Sequence, residues 1–198
     1  MKQTTLRWSA VAVGVLVLSA ATVDAQPGLR KGFKAGRTQA RVTGNRFDET
    51  RSLQSFCGGV SLEFGFLGIF DLEADILYTT KGCRATTANK EAEARLNYLS
   101  IPMVLKKKFL PLGVHPYVEG GLEFGSILSA TFDGQSIKND LYSNETALLL
   151  GGGIEFGLIG RGVCVEGRYS QGLDNLFKQD TAGNAKTRTT QLLIGIFF

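Results

Sequence analysis

The chain is poor in several residue types, and each shortage removes a class of function. It has one histidine, His115, and three cysteines, Cys57, Cys83 and Cys164, with no C-x-x-C pair. Metal centres draw on clustered Cys and His, so neither a metal site nor any other cofactor is expected. After the first 25 residues no apolar run reaches, without meeting charge or glycine, the roughly 20 residues that a membrane-spanning helix needs. That excludes a helical membrane protein. The net charge of +4 is small and scattered, without a long basic stripe, so nucleic acid is not an expected partner. Only four prolines are present, and proline is the residue that most disrupts a sheet ladder.

What is abundant is glycine, with 25 residues, and phenylalanine, with 13. A chain rich in both and only modestly hydrophobic suits a β-barrel, whose strands face lipid on one side and a wet interior on the other. A soluble β-sandwich is the competing reading. The amino terminus adds a targeting signal. Lys2 and Arg7 precede an apolar stretch from Val11 to Leu18, and Val23-Asp24-Ala25 supplies a cleavage site. Residues 1–25 are read as a signal peptide cut after Ala25, leaving one domain over 26–198. An uncleaved anchor is the alternative, against which the shortness of the apolar core argues.

Alternation then decides the fold class. Phe56, Val60, Leu62, Phe64 and Phe66 share one parity, against Cys57, Ser61 and Glu63 on the other. Phe70, Leu72, Ala74, Ile76 and Tyr78 alternate with Asp71, Glu73, Asp75, Leu77 and Thr79. Three carboxylates on one face would ruin a soluble core, whereas a wet lumen solvates or pairs them. Tyr98 to Phe109 sets Leu99, Ile101, Met103 and Leu105 against Ser100, Pro102, Val104 and Lys106, with a bulge expected at Pro102. Lys107 ends that series, placed to snorkel to the interface. Tyr117 to Ala130 turns Val118, Leu122, Phe124 and Leu128 outward and Glu119 and Glu123 inward. Next come Leu148, Leu150, Ile154 and Phe156 against Glu155, then Val163, Val165 and Tyr169 against Cys164, Glu166 and Arg168. The last strand carries Leu192, Ile194, Ile196 and Phe198 outward, and its terminal aromatic reads as the insertion signal for a barrel-assembly machinery. Around Gly32 to Val42 the outward parity begins with Phe33 and Ala35 but then meets Arg37, Gln39 and Arg41. Either the apolar part is short there or the register shifts.

The prediction is an all-β, eight-stranded antiparallel up-and-down transmembrane β-barrel. Connections alternate between short ones, around 67–69, 110–115 and 158–161, and long ones, around 43–53, 81–95, 131–145 and 171–187. The short set would face the periplasm and the long set the exterior. Cys57 and Cys83 fall towards the same end of neighbouring strands and either pair or stay separate thiols.

Ile76-Leu77-Tyr78-Thr79-Thr80-Lys81-Gly82, Tyr98-Leu99-Ser100-Ile101-Pro102-Met103-Val104-Leu105-Lys106 and Pro116-Tyr117-Val118 resemble successive signatures of PorT-like outer-membrane β-barrel proteins, best known from Bacteroidetes. So do Glu166-Gly167-Arg168-Tyr169-Ser170-Gln171-Gly172-Leu173 and the last strand, giving an ordered match from about residue 32 to 198. The resemblance implies an eight-stranded outer-membrane barrel of the porin-family kind. The name-giving member of that family is linked to protein secretion.

The expected lumen charge network comprises Glu63, Asp71, Glu73, Asp75, Glu119, Glu123, Glu155, Glu166, Arg168 and Lys106, with Lys34 as a further cation. Such carboxylates can serve acid–base catalysis. Charge pairing in a narrow interior accounts for them without it. An eight-stranded barrel encloses room only for side chains or one small ligand, so a wide pore is not expected. A narrow cation-preferring channel is the alternative, because acidic positions outnumber basic ones. A lipid-modifying enzyme is the rival class, but His115 falls in a short periplasmic turn, away from outer-leaflet chemistry. Gly151-Gly152-Gly153 lacks dinucleotide-binding spacing and reads as close strand packing, and the sequon Asn144-Glu145-Thr146 as chance. No catalytic residue is assigned, and a non-enzymatic structural or interaction role is expected. Outer-membrane lipid is one expected partner. The long loops offer a surface for an extracellular ligand or secretion partner.

Overall fold

The computed structural model describes residues 28–44, 51–66, 70–87, 90–109, 113–133, 135–136, 142, 144–158, 161–174 and 185–198. The expected signal peptide over 1–25 and its cleavage site at Ala25 lie outside the described residues. The strands are β1 (Leu29–Gly44), β2 (Arg51–Phe66), β3 (Phe70–Thr87), β4 (Lys90–Lys108) and β5 (Val114–Phe132), followed by the two-residue β6 (Gln135–Ser136). Then come β7 (Asn144–Leu158), β8 (Arg161–Gly172) and β9 (Ala185–Phe197). The hydrogen-bonded order is β4-β3-β2-β1-β9-β8-β7-β5, and a β4–β5 pairing closes the ring of eight long strands. Every long strand is antiparallel to both neighbours, and β6 only folds back on the end of β5.

The period-two pattern puts each parity where the sequence predicts. Outward stand Phe56, Leu192, Leu150 and Ile194, with 63%, 60%, 58% and 58% of their surface exposed. An apolar surface of that extent, running round the whole ring, has hydrocarbon as its solvent. Its aromatic members form two tiers: Phe56, Tyr78, Phe124 and Tyr169 towards the long loops, and Phe64, Phe70, Phe156 and Phe198 towards the short turns. Lys107 joins the lower tier, its Nζ 5.8 Å from the Phe70 ring centre and 5.7 Å from that of Phe109. Both described termini, Gly28 and Phe198, lie at the short-turn rim, which in barrels of this kind is periplasmic.

Four expectations are resolved or corrected. First, β1 keeps an unbroken register with β2 from Leu29 to Ala40 and with β9 from Gly32 to Gly44. Its alternation never slips, so its apolar part is short, and Arg37 and Arg41 face outward with Phe33. Second, Pro102 makes no bulge. Ladder partners are absent between Ala74↔Met103 and Leu77↔Ser100, yet the register is the same on both sides. The irregularity of β4 lies instead at Asn97/Tyr98, against β5. Third, the tract 81–95 is strand for most of its length, paired from Lys81↔Leu96 to Thr87↔Lys90 as a hairpin projecting past the membrane. Fourth, His115 is the second residue of β5, opposite Glu155, rather than part of a turn.

Neither cysteine whose side chain is described, Cys57 or Cys164, staples the wall. Cys57 is a free, buried thiol opposite Thr79, and Cys83 sits four places further along β3, opposite Ser52. Two glycines let strands approach where this interior is tightest. A Cβ on Gly36 or Gly59 would lie 1.9 Å from the carbonyl oxygen of Leu192 or Ile76 respectively.

Candidate functional site

All ten predicted lumen residues project inward from the strands that alternation assigns them to. Nine are buried, and Asp71 is half-buried near the periplasmic rim. They are brought together in three layers, stacked along the barrel axis.

The middle layer is a knot of three cations and four carboxylates contributed by five strands. Lys34 of β1 donates to Glu73 at 2.7 Å and to Glu166 at 2.8 Å. Lys106 of β4 donates to Glu73 at 2.6 Å. Arg168 of β8 spreads its guanidinium across Glu73 and Asp75, both at 2.6 Å, and Glu119 at 2.8 Å. The Tyr117 hydroxyl donates to Glu166 at 2.7 Å, and its ring lies 4.6 Å beneath the Lys106 ammonium. The side chains of Lys34, Lys106, Arg168, Glu73, Glu119 and Glu166 are 0% exposed. Burying a lone charge is prohibitive, and mutual neutralisation with good hydrogen-bond geometry is what makes such burial tolerable. Phe197, Tyr117 and Cys164 form the small apolar patch against which the knot rests.

The periplasmic layer joins Lys108 to Asp71 at 2.7 Å and to Glu155 and Glu63 at 3.0 Å. Arg30 donates to Glu155 at 2.5 Å and also to Glu63. The outer layer sets Lys81 3.2 Å from Glu123 and 3.8 Å from Glu145, with the Thr187 hydroxyl donating to Glu145. The Lys81 ammonium stands 4.6 Å over the Tyr98 ring.

Lys34 takes the place foreseen for it. Arg30, Lys81, Lys108 and Glu145 are the members that sequence reasoning missed. Each continues the inward parity of its strand: Arg30 with Lys34, Lys81 with Thr79, Lys108 with Lys106, Glu145 with Ala147. That parity was the available signal, and it runs past the apolar windows used to define the strands.

Glu73, Glu119 and Glu166 converge with one oxygen each inside 4.8 Å, a spacing that can hold a metal ion. Lys34, Lys106 and Arg168 already lie among these oxygens, so the protein's own cations supply the positive charge there. What the arrangement does physically is brace opposite walls across a narrow interior.

Comparison with known proteins agrees with this architecture. No curated protein matches the chain significantly. Among solved structures it resembles Neisserial surface protein A, with 18% identity, a TM-score of 0.55, and coverage of 86% of this chain and 96% of that one. OprG from Pseudomonas aeruginosa is similar at 14% identity and a TM-score of 0.50, covering 86% and 94%. These likenesses concern the fold. The profile of the outer membrane protein β-barrel domain family matches residues 23–178. The chain therefore belongs to that family, and the protein is a β-barrel of the bacterial outer membrane.

Proposed function

We propose that the protein is a closed, non-catalytic scaffold of the outer membrane whose work is done at its extracellular loop rim. The observation that carries this reading is the middle layer of the lumen. Three cations and their carboxylates, from five of the eight strands, leave the centre of the interior with no exposed side chain. A solute path would have to break several buried ion pairs at once, each far stronger there than in water. The same burial withholds these carboxylates from a substrate, and His115, near the periplasmic rim, has no place in outer-leaflet chemistry.

Loops held on a rigid wall are the usual seat of recognition. Here the β3–β4 hairpin and the ends of β5 and β7 carry them clear of the bilayer. The ordered likeness to PorT-like proteins over 76–82, 98–106, 116–118 and 166–173 supports a partner in protein secretion and a source among Bacteroidetes. Export by the 1–25 signal and insertion by the assembly machinery through the last strand complete the reading.

Planar-bilayer recording of the refolded protein tests it. The expected trace is silent. Large, stable conductance steps would overturn the closed lumen, and small cation-selective steps would support the channel alternative instead. Lipid A mass spectra that change on overexpression would establish an enzyme.

A further inference from the structure

Every described cation of the lumen meets a carboxylate, but three arginines clustered on the outside of β1 and β9 meet none among the described residues. Arg37 and Arg41 of β1 and Arg188 of β9 are exposed, and among the described residues no carboxylate pairs with any of them. Their position makes this costly. Arg37 stands directly between Phe56 of β2 and Leu192 of β9, two of the most lipid-exposed side chains of the wall. Arg41 is placed directly opposite Arg188, and like charges facing each other across a ladder repel.

The tier between them is polar as well. Gln39 lies between Gln54 and Thr190. One outward tier below, the neighbouring strands are apolar, with Phe56 on β2 and Leu192 on β9 facing outward. The lipid-facing wall therefore has a polar notch at its extracellular edge. It forms a depression of ≈ 150 Å³ bounded by Arg37, Gln39, Gln54, Thr190 and Leu192, with Arg41 and Arg188 one tier above.

An anion is the natural occupant of a site with three guanidinium groups that meet no carboxylate among the described residues, and guanidinium binds phosphate oxygens in a bidentate fork. The Gln54 amide and the Thr190 hydroxyl can donate to the remaining oxygens. The lower edge of the notch is apolar, with Phe56 and Leu192 flanking Arg37, which suits a ligand that also carries acyl chains. Arg37 and Arg41 are four residues apart, about 13 Å along a strand, which suits a headgroup with more than one phosphate. We propose that Arg37, Arg41 and Arg188, with the notch between them, bind the phosphorylated headgroup of an outer-leaflet glycolipid.

Full-length protein refolded in detergent is titrated with bis-phosphorylated lipid A, with dephosphorylated lipid A and with inorganic phosphate, read by native mass spectrometry. The wild type is expected to retain bis-phosphorylated lipid A, and the R37Q/R41Q/R188Q variant to bind it roughly a hundredfold more weakly. R188E sets a carboxylate opposite Arg41, relieves the repulsion and should fold at least as well, yet lose about tenfold in affinity. The gel mobility of unheated samples reports folding of each variant independently. Equal retention by wild type and both variants would overturn the assignment. So would equal binding of the dephosphorylated lipid, or displacement by inorganic phosphate at concentrations matching the lipid.

Discussion

Arg168 and Lys106 each reach four carboxylates of the lumen network, and Arg168 makes the shorter set of contacts. Its guanidinium engages Glu73, Asp75, Glu119 and Glu166 within 3.0 Å while wholly buried. Removing one member of a buried network costs more than the network contributes, because the orphaned charges stay behind. Arg168→Met should therefore lower unfolding stability in lipid vesicles by about 3–5 kcal/mol, read as a fall in the urea midpoint. An unchanged midpoint would mean that the knot is not load-sharing. Residue by residue, ten of the lumen charges were legible from alternation, which does not decide between a disulfide and a free thiol at Cys57. Arg30, Lys81, Lys108 and Glu145 were not, because near the rims the outward face mixes polar with apolar residues, as at Lys31, Lys107 and Asn144. Alternation is read from contrast between faces, and there the contrast fades while the backbone keeps its parity.

The same physics governs the elements. The tract 81–95 looks like a loop because above the bilayer both faces of a ribbon are wet, so no apolar period marks it. Backbone pairing from Lys81↔Leu96 to Thr87↔Lys90 nevertheless continues the hairpin. Pro102 is a milder surprise, since the wall gives up ladder partners on the β3 side rather than inserting a residue. Close strand approach is an element property that the sequence shows only as glycine. Gly59 and Gly167 look alike in sequence, but a Cβ on Gly59 would strike the Ile76 carbonyl at 1.9 Å, whereas nothing lies within 4 Å of one on Gly167. Gly59→Ala should cost at least about 1–3 kcal/mol through displaced backbone, and Gly167→Ala, facing lipid, should fall within about 0.5 kcal/mol of wild type. Urea titration of the pair in one lipid decides it, and equal midpoints would contradict the close packing of β2 on β3.

At the scale of the whole molecule, closure depends on joining the two ends of the chain. β1 and β9 pair from Gly32↔Phe197 to Gly44↔Ala185, and one further rung is added by the last residue. The Phe198 amide donates to the Lys31 carbonyl at 2.8 Å, and the Lys31 amide donates to the Phe198 carbonyl at 3.1 Å. Its ring, 55% exposed, packs 5.8 Å from that of Phe33 at the lower aromatic tier. Until this seam forms, β1 and β9 are edges with unpaired backbone in a medium that offers no hydrogen bonds. Deleting Phe198 removes two ladder bonds and an interfacial aromatic together, and it should abolish assembly, seen as loss of the heat-modifiable folded band. Phe198→Leu keeps both bonds and most of the apolar surface, so it should assemble with a stability loss of about 1 kcal/mol. If both variants assemble normally, the seam does not rely on its final rung. If both fail, the aromatic ring itself is what insertion requires, and the backbone rung is secondary.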